Sequence, residues 1–435
     1  MTYPNIVKTK LDAAIAQAIA CRGEYISNIR EFTRKRKLPM ETVIKLLLSM
    51  QGGTLNKELH DSGIGVTASA FVQQRAKVSS GVFHDILQGF NDAHDDPKTF
   101  RGYRILAVDG TCINMARNPH SESFVCNDSN PKGYNQLHLN PLYDILNKVY
   151  FNCVVQPQPK ADEIGALMTM LYKSRFSGNN LIIADRGYES YNMFAHLLNC
   201  ENVDFLIRVK QDRSAMREIQ KLPMTELDRN VSFTTTTTQT NEDKRENRIF
   251  LQTGSKKGKT NGPNTRVTRW DFPSPYPMSF RVVRFLLDTG EYETIATSLP
   301  HSFTVDDIKE LYHMRWGIET SFRELKYCIG LVNLHGKKDG CVLQEIFAAM
   351  IMYNFCNRIS GEVVIQQRKE NVYAYKVNLK MAIYLCKEFY RNPQGDGEKL
   401  MRDIGKYTEP VRPGRKDERN IRAKSFVGFT YRVAA

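Results

Sequence analysis

The sequence lacks paired cysteines. Its nine cysteines stand singly, and no two of them form a CxxC pair. This scatter argues against a structural zinc site and against a disulfide framework. We therefore expect the chain to work in a reducing cytoplasm.

Long hydrophobic runs are also missing. No stretch reaches the roughly 18 apolar residues that a membrane-spanning helix requires. The longest candidate, Ile346 to Phe355, is interrupted by Asn354 and predicts a buried helix. The first residues, MTYPNIVKTK, contain no apolar segment of a signal peptide. The sequence therefore predicts neither a membrane protein nor a secreted one.

Negative charge is in the minority. The chain has 61 Lys and Arg against 47 Asp and Glu, a formal net charge of +14. Such a balance favours a polyanionic partner, most simply nucleic acid. The basic residues gather in three separate places, which favours several contacts along an extended ligand over one solvated face. The three clusters are Arg34 to Lys37; Lys256, Lys257 and Lys259; and Arg412, Arg415, Lys416, Arg419, Arg422 and Lys424.

The sequence divides into three parts. Residues 1–98 follow a helical pattern, and we expect an α-helical DNA-binding domain there. Residues 99–360 alternate apolar strands with amphipathic helices, which is typical of a mixed sheet with helices on its faces. A β-rich insertion, rich in Thr, Asn, Lys and Gly, interrupts this pattern at about 211–280. Residues 361–435 form a helical and basic tail, a candidate for dimerisation or DNA contact.

Two short helices in the first part resemble a helix-turn-helix. Leu55 to Asp61 and Thr67 to Lys77 flank a turn that contains Gly63 and Gly65. A helix-turn-helix would place the second helix in a DNA groove. A plain helical bundle explains the same pattern about as well, so both interpretations stay open.

One predicted helix, Thr304 to Leu331, carries four polar residues at distinctive spacing. With about 100° per residue, Tyr312, Arg315, Glu319 and Lys326 fall within an arc of about 60°. Apolar residues occupy the neighbouring arc. A carboxylate among cations suits a site that holds a metal ion together with a polyanion. A solvated face with an internal salt bridge has equal weight on the helix alone.

Two aspartates follow apolar strands. Asp109 ends the run RILAV and Asp185 ends NLIIA, and a glycine follows each of them closely. Strand ends are where sheet proteins place reactive groups, and glycine lets a ligand approach. Either aspartate alone could be a turn residue. Together with Glu319 they could hold two Mg²⁺ or Mn²⁺ ions, which prefer oxygen ligands and act on phosphodiesters.

These residues resemble a known family. The spacing Tyr312-x2-Arg315-x3-Glu319-x6-Lys326 resembles the Y-R-E-K motif of IS4-type DDE transposases. The DGT at Asp109 and the DRGY at Asp185 look like the first and second catalytic motifs of that family. The QQR at 73–75 and the PVRPGR at 410–415 are also similar to stretches of such proteins, as is a β-rich insertion before Glu319.

The resemblance implies an RNase H-like catalytic core. Asp109, Asp185 and Glu319 would be the catalytic metal ligands for two Mg²⁺ (or Mn²⁺) ions, and DNA ends would be cleaved and then joined to target DNA. Tyr312, Arg315 and Lys326 would contact DNA phosphates. Arg186 could reach a phosphate or orient a carboxylate. Trp270 could stack on a base, although core packing explains it too.

The resemblance also implies the partners. We expect a bacterial insertion-sequence transposase that binds terminal inverted repeats and target DNA, acts as a homodimer and works in the cytoplasm at the nucleoid. Two alternatives remain. One is an RNase H-like DNA endonuclease without strand transfer, and the other is a DNA-binding derivative that has lost catalysis.

Overall fold

The secondary structure comes from a computed structural model that describes residues 1–211, 215–253, 269–368, 370 and 372–412. Within these residues the helices are α1 (Tyr3–Ala20), α2 (Met40–Ser49), α3 (Leu55–Asp61), α4 (Ala68–Arg75), α5 (Gly81–Asp92), α6 (Glu163–Lys173), α7 (Tyr191–Leu198), α8 (Arg217–Gln220), α9 (Asn241–Arg245), α10 (Val305–Met314), α11 (Trp316–Arg323), α12 (Asp339–Ser360), α13 (Leu379–Arg391) and α14 (Gly397–Lys406).

The strands are β1 (Tyr103–Val108), β2 (Thr111–Met115), β3 (Phe124–Asn127), β4 (Asn130–Asp144), β5 (Val149–Pro157), β6 (Asn179–Ala184), β7 (Val203–Arg208), β8 (Leu227–Thr236), β9 (Ile249–Phe250), β10 (Tyr276–Leu286), β11 (Tyr292–Thr297), β12 (Tyr375–Val377) and β13 (Thr408–Pro410). No helix of the described residues is long and apolar enough to cross a membrane.

The chain forms two compact units. The parallel-sheet unit consists of Thr99–Asp109 and Glu163–Ile318. The helical unit consists of Met1–Lys98, Gly110–Asp162 and the described residues from Glu319 onward. The mixed α/β fold class and the α-helical N-terminal part are therefore confirmed, because residues 1–98 form α1 to α5 and a short 3₁₀ turn at Arg22–Glu24. The assignment of the three sequence parts to DNA binding, catalysis and a basic tail stays a prediction.

The parallel-sheet unit is built on a mixed sheet. Its strands lie in the order β1-β6-β7-β11-β10-β8-β9. β1, β6 and β7 are parallel, with α6 directly before β6 and α7 between β6 and β7, as expected for strands that read as continuous apolar runs. β8, β10 and β11 continue the sheet with antiparallel pairs. Within the insertion predicted at about 211–280, the described residues form β8, β9 and the start of β10, together with the short helices α8 and α9; a β-rich insertion there stays a prediction.

The helical unit surrounds α12. This helix is buried along most of its length and packs against α1, α2, α5, α13 and β5. In the same unit β4 pairs with β2, β3 and β5, always antiparallel. Asn354 of α12 locks the helix to β5, because its amide oxygen accepts from the Tyr150 backbone N–H at 2.7 Å and its amide nitrogen donates to the Tyr150 carbonyl at 2.9 Å.

The prediction of one continuous helix from Thr304 to Leu331 is wrong. Thr304 starts α10 through a capping box with Asp307, as a Thr-x-x-Asp sequence favours. Tight bonds of the i→i+3 type at Tyr312 and Arg315 then end α10, and α11 follows. Residues 324–328 form a π-helical turn, in which the Ile329 N–H donates to the Glu324 carbonyl at 3.1 Å. Lys326 therefore does not keep the angular position that a regular helix would give it.

Candidate active site

Two aspartates lie side by side at the edge of the parallel strands. Asp109 follows β1 and Asp185 follows β6. The register of this parallel pair joins Ala107 to Ile183, so each aspartate comes two residues beyond a paired position. Carboxyl ends of adjacent parallel strands meet at one edge of a sheet. The parallel-sheet unit thus brings together the first two of the predicted site residues.

The backbone after Asp185 forms a short 3₁₀ turn that fixes this carboxylate. Oδ1 of Asp185 accepts a hydrogen bond from the Gly187 N–H at 2.8 Å. A Cβ atom on Gly187 would lie 2.9 Å from that oxygen, closer than real Cβ contacts. The glycine of the DRGY motif is therefore required for the carboxylate to sit on the turn.

The pKa of the buried Tyr188 is affected by the carboxylates at this edge of the sheet. Tyr188 is 1% exposed. Burial raises the pKa of Tyr188 well above its ordinary value, and the charges of Glu163, Asp109 and Asp185 raise it further. Glu163, the first residue of α6, is thus an acidic neighbour of the site that the sequence analysis missed. Its only signal in the sequence is its place at the start of an amphipathic helix.

Arg315 lies beside the first aspartate. Its Nη1 is 3.8 Å from Oδ2 of Asp109, and the residue is 8% exposed. The guanidinium also stacks over the ring of Trp316, 4.8 Å from the ring centre. Trp316 itself is 55% exposed. A partly desolvated cation at this edge offsets the repulsion between neighbouring carboxylates and suits a phosphate.

Tyr312 belongs to the same group of side chains. It is 6% exposed, and Arg315 lies over its ring at 5.9 Å. Burial raises the pKa of Tyr312, while the charge of Arg315 lowers it in part. Glu293 stands nearby, with Arg208 Nε 3.1 Å from its Oε1, and burial raises the pKa of this carboxyl too. The phenol of Tyr312 is thus a neutral hydrogen-bond donor near neutral pH.

Glu319 and Lys326 belong to the helical unit, in the part of the chain that begins at Glu319. Glu319 is exposed in the first turn of α11. Lys326 is in the π-helical turn, and its Nζ donates to Oγ1 of Thr111 at 2.7 Å. Thr111 is the threonine of the DGT motif, so Lys326 contacts the motif that also contains Asp109. That Glu319 completes a carboxylate triplet with both aspartates stays a prediction.

The two weaker site predictions fall in different surroundings. Arg186 is exposed on the turn after Asp185. Trp270 is half-buried and packs against Phe272 and Tyr276, with ring centres 5.5 Å away in both cases. Its indole N–H donates to the carbonyl of Pro273 at 3.2 Å. Packing therefore accounts for Trp270, and a base contact by either residue stays a prediction.

The basic clusters are only partly described. The run from Arg34 to Lys37 is exposed. Lys256, Lys257 and Lys259 lie outside the described residues, as do the basic residues of the tail beyond Arg412. The arginine of QQR, Arg75, is buried and does not face solvent. Its guanidinium holds α4 on α12.

The described residues contain no group of three or more His, Cys, Asp or Glu side chains that could hold a metal ion. Mg²⁺ in enzymes is commonly bound by one or two carboxylates, completed by water and by phosphate oxygens of the substrate. The oxygen-only pair Asp109 and Asp185 fits that requirement, and a pair of carboxylates alone is not the His- and Cys-based ligand set that is usual for zinc.

Comparison with known proteins gives three findings. The family described as "Transposase DDE domain" matches residues 100–355. A probable transposase for insertion sequence element IS5377 of Geobacillus stearothermophilus is 33% identical over 73 residues, which are 17% of this chain and 19% of that protein. The match thus spans about a fifth of the length of that relative.

One solved structure resembles this chain weakly. It is the cryo-EM structure of the piggyBac transposase synaptic complex with hairpin DNA, at a TM-score of 0.46 and 10% identity. The likeness covers 95% of this chain and 84% of the other.

Proposed function

We propose that this chain, which belongs to the transposase DDE domain family, is the transposase of a bacterial insertion sequence of the IS4 type. It would bind the terminal inverted repeats of its element, hydrolyse a phosphodiester at each end, and join the freed 3′-hydroxyl to target DNA. Acting as a homodimer on an RNase H-like core, it would bring two ends together in the bacterial cytoplasm.

One observation carries the proposal. Asp109 and Asp185 lie at the ends of two adjacent parallel strands, and Arg315 stands 3.8 Å from Asp109. The two carboxylates can bind metal ions, and the partly buried guanidinium beside them can bind a phosphate. Phosphoryl transfer requires both kinds of group. The net charge of +14 supports a polyanionic substrate.

Divalent metal ions are general in this family, and the donor set fits them. Asp109 and Asp185, together with Glu319, would hold two Mg²⁺ or Mn²⁺ ions. Bound there, the pair of ions supplies the activation of a water or a 3′-hydroxyl and the stabilisation of the leaving oxygen. The Gly187 N–H keeps the Asp185 carboxylate oriented for this ligand role.

The remaining residues would grip the DNA. Arg315 presents a planar guanidinium that can bind two phosphate oxygens, and Lys326 presents a point charge beside Thr111. Tyr312 can donate a hydrogen bond to a phosphate oxygen because its phenol stays protonated. Arg186 and Trp270 are further candidates for DNA contact near the second aspartate and in the insertion.

The test is a cleavage assay with Mg²⁺ on DNA that carries the repeats bracketing the gene. We expect the wild type to nick the ends and join them to a target. Asp109→Asn, Asp185→Asn and Glu319→Gln should abolish nicking but leave end binding within about threefold, because phosphate contacts dominate affinity. Asp306→Asn is the matched control, since this carboxylate on α10 is 91% exposed.

Three other results of this assay would each lead to a different conclusion. Nicking without joining would support an RNase H-like endonuclease instead. Binding without nicking by the wild type would support an inactive DNA-binding derivative. Loss of binding in Glu319→Gln would mean that Glu319 is structural and would remove it from the proposed metal site.

A further inference from the structure

Three buried tyrosines form a cluster behind the segment that carries Glu319 and Lys326. This tyrosine cluster consists of Tyr143 on β4, Tyr150 on β5 and Tyr353 on α12, which are 3%, 0% and 0% exposed. Their ring centres are 5.0 to 6.3 Å apart. The hydroxyls of Tyr143 and Tyr353 are 3.0 Å apart and share a hydrogen bond.

Two hydroxyls of the cluster reach this segment. Tyr150 donates to Oγ of Ser321 at 3.1 Å, and Tyr353 donates to Oε2 of Glu324 at 2.6 Å. Ser321 comes two residues after Glu319, and Glu324 comes two residues before Lys326. The two bonds therefore fix the backbone directly beside both proposed functional residues.

The cluster is a rigid support. Burial raises the pKa of all three phenols above the ordinary value, so each remains a protonated donor across the working pH range. Asn354, the residue after Tyr353, is bonded in both directions to the backbone of Tyr150. The hydroxyls of Tyr150 and Tyr353 are thus held in a fixed relation to one another.

The π-helical turn needs such support. Its wide i→i+5 bond begins at the carbonyl of Glu324, and the side chain of the same residue accepts the Tyr353 hydroxyl. π-turns are rare, and they persist where side chains fix them, often at functional sites. Lys326 lies within this turn, and its Nζ donates to Oγ1 of Thr111 at 2.7 Å.

We infer that Tyr353 and Glu324 are positioning residues for Lys326, and that Tyr150 and Ser321 do the same for Glu319. The inference rests on the proposed function, because it assigns Lys326 and Glu319 the roles given there. The side chain of Tyr353 is fully buried, and Glu324 is half-buried. They act by holding the π-helical turn in the form that presents Lys326.

A double-variant comparison tests the link. Tyr353→Phe should slow nicking by about 10- to 100-fold, as small displacements of positioned groups do. If Tyr353 acts through Lys326, the double variant Tyr353→Phe/Lys326→Ala should be no slower than Lys326→Ala alone. Independent effects would instead multiply. Glu324→Gln should restore most of the activity that Glu324→Leu loses, because the amide oxygen can still accept the phenol.

A matched control separates positioning from loss of stability. Tyr25→Phe removes another tyrosine–carboxylate bond, 2.7 Å to Asp85, at a residue that is 8% exposed. It should leave nicking within about twofold of the wild type. Hydrogen exchange gives a readout that needs no activity. Amides 324–332 should exchange at least about tenfold faster in Tyr353→Phe and unchanged in Tyr25→Phe.

The outcomes are distinguishable. If Lys326→Ala nicks like the wild type, the proposed role of Lys326 fails, and the inference fails with it. If Lys326→Ala is slow while Tyr353→Phe is normal, or if the two effects multiply, the inference alone is wrong. Unchanged hydrogen exchange at the turn in Tyr353→Phe would also overturn it, whatever the activity.

Discussion

The guanidinium of Arg75 holds the second helix of the helix-turn-helix-like pair on α12. Nη1 lies 2.9 Å from Oε1 of Glu345, Nε donates to Oε1 of Gln344 at 3.0 Å, and Nη2 donates to the carbonyl of Cys341 at 2.8 Å. Arg75 is 1% exposed. Arg75→Ala would remove three buried bonds and leave Glu345 without its cation.

The stability that Arg75→Ala should lose can be worked out from the burial of the Arg75–Glu345 ion pair. Breaking a buried ion pair by removing one partner costs about 3–5 kcal/mol, because a buried charge is left uncompensated. The lowered pKa of Glu345 agrees with this direction. Burial raises it, but a hydrogen bond from His335 and the charge of Arg75 lower it to about 2 from 4.5. A shift of that size corresponds to about 3 kcal/mol, to which Arg75 contributes a part.

The lowered pKa of Glu345 determines the direction in which the stability of the fold depends on pH. A carboxyl whose pKa is depressed on folding stabilises the protein above its unfolded pKa, and that stabilisation is lost as the pH falls toward the folded value. Glu345 therefore contributes fully above about pH 5, and its contribution disappears between about pH 4.5 and pH 2. In Arg75→Ala this acid dependence should be weaker.

Hydrogen exchange on α12 measures the effect. A local loss of about 3 kcal/mol should speed the exchange of protected amides in α12 by about two orders of magnitude at pH 7. Both tryptophans, Trp270 and Trp316, lie in the parallel-sheet unit. Their fluorescence therefore reports on the other unit and serves as an internal reference.

An exposed ion pair supplies the matched control. Arg402→Ala removes an arginine that is 64% exposed and 4.0 Å from Glu398. Such exposed pairs contribute little, so exchange in α12 should stay at the wild-type rate. If Arg75→Ala also left α12 exchange within about twofold of the wild type, the argument from buried charge would be refuted.

Three further outcomes are expected. Gly187→Ala should slow nicking at least about tenfold without loss of end binding, because the new Cβ displaces the Asp185 carboxylate. Arg315→Lys should slow nicking about as much, because lysine keeps the charge beside Asp109 but loses the planar fork, and a cleavage time course measures it. Thr304→Ala should lower the free energy of unfolding by about 1 kcal/mol in a urea titration, because the capping box is lost.

Local patterns in the sequence were enough for much of the fold. The helix Leu55–Asp61 has the bounds that were predicted, and Thr54 caps its start. β2 and β3 were missed, because each is only five or four residues long and contains no sustained apolar run. The break in the helix from Thr304 was missed as well, since spacing alone cannot reveal a change from α- to π-type bonds.

The candidate site also contains residues that the sequence reveals and contacts that only the structure reveals. Asp109 and Asp185 could be found because each follows an apolar run, and the parallel pairing of β1 with β6 brings the two together. The Tyr353–Glu324 bond joins α12 to a turn that only the structure reveals. Arg75 and Glu345 are separated by most of the chain. Contacts of this kind depend on tertiary packing and cannot be predicted from a local sequence pattern.

The central claim is that Asp109 and Asp185 jointly hold the metal ions at which a phosphodiester is cleaved. The most direct test is the metal dependence of nicking by Asp185→Cys. A thiolate is a poor ligand for Mg²⁺ and a better one for softer ions, so we expect no nicking in Mg²⁺ and partial recovery in Mn²⁺. Nicking by Asp185→Cys at the wild-type rate in Mg²⁺ would contradict the account.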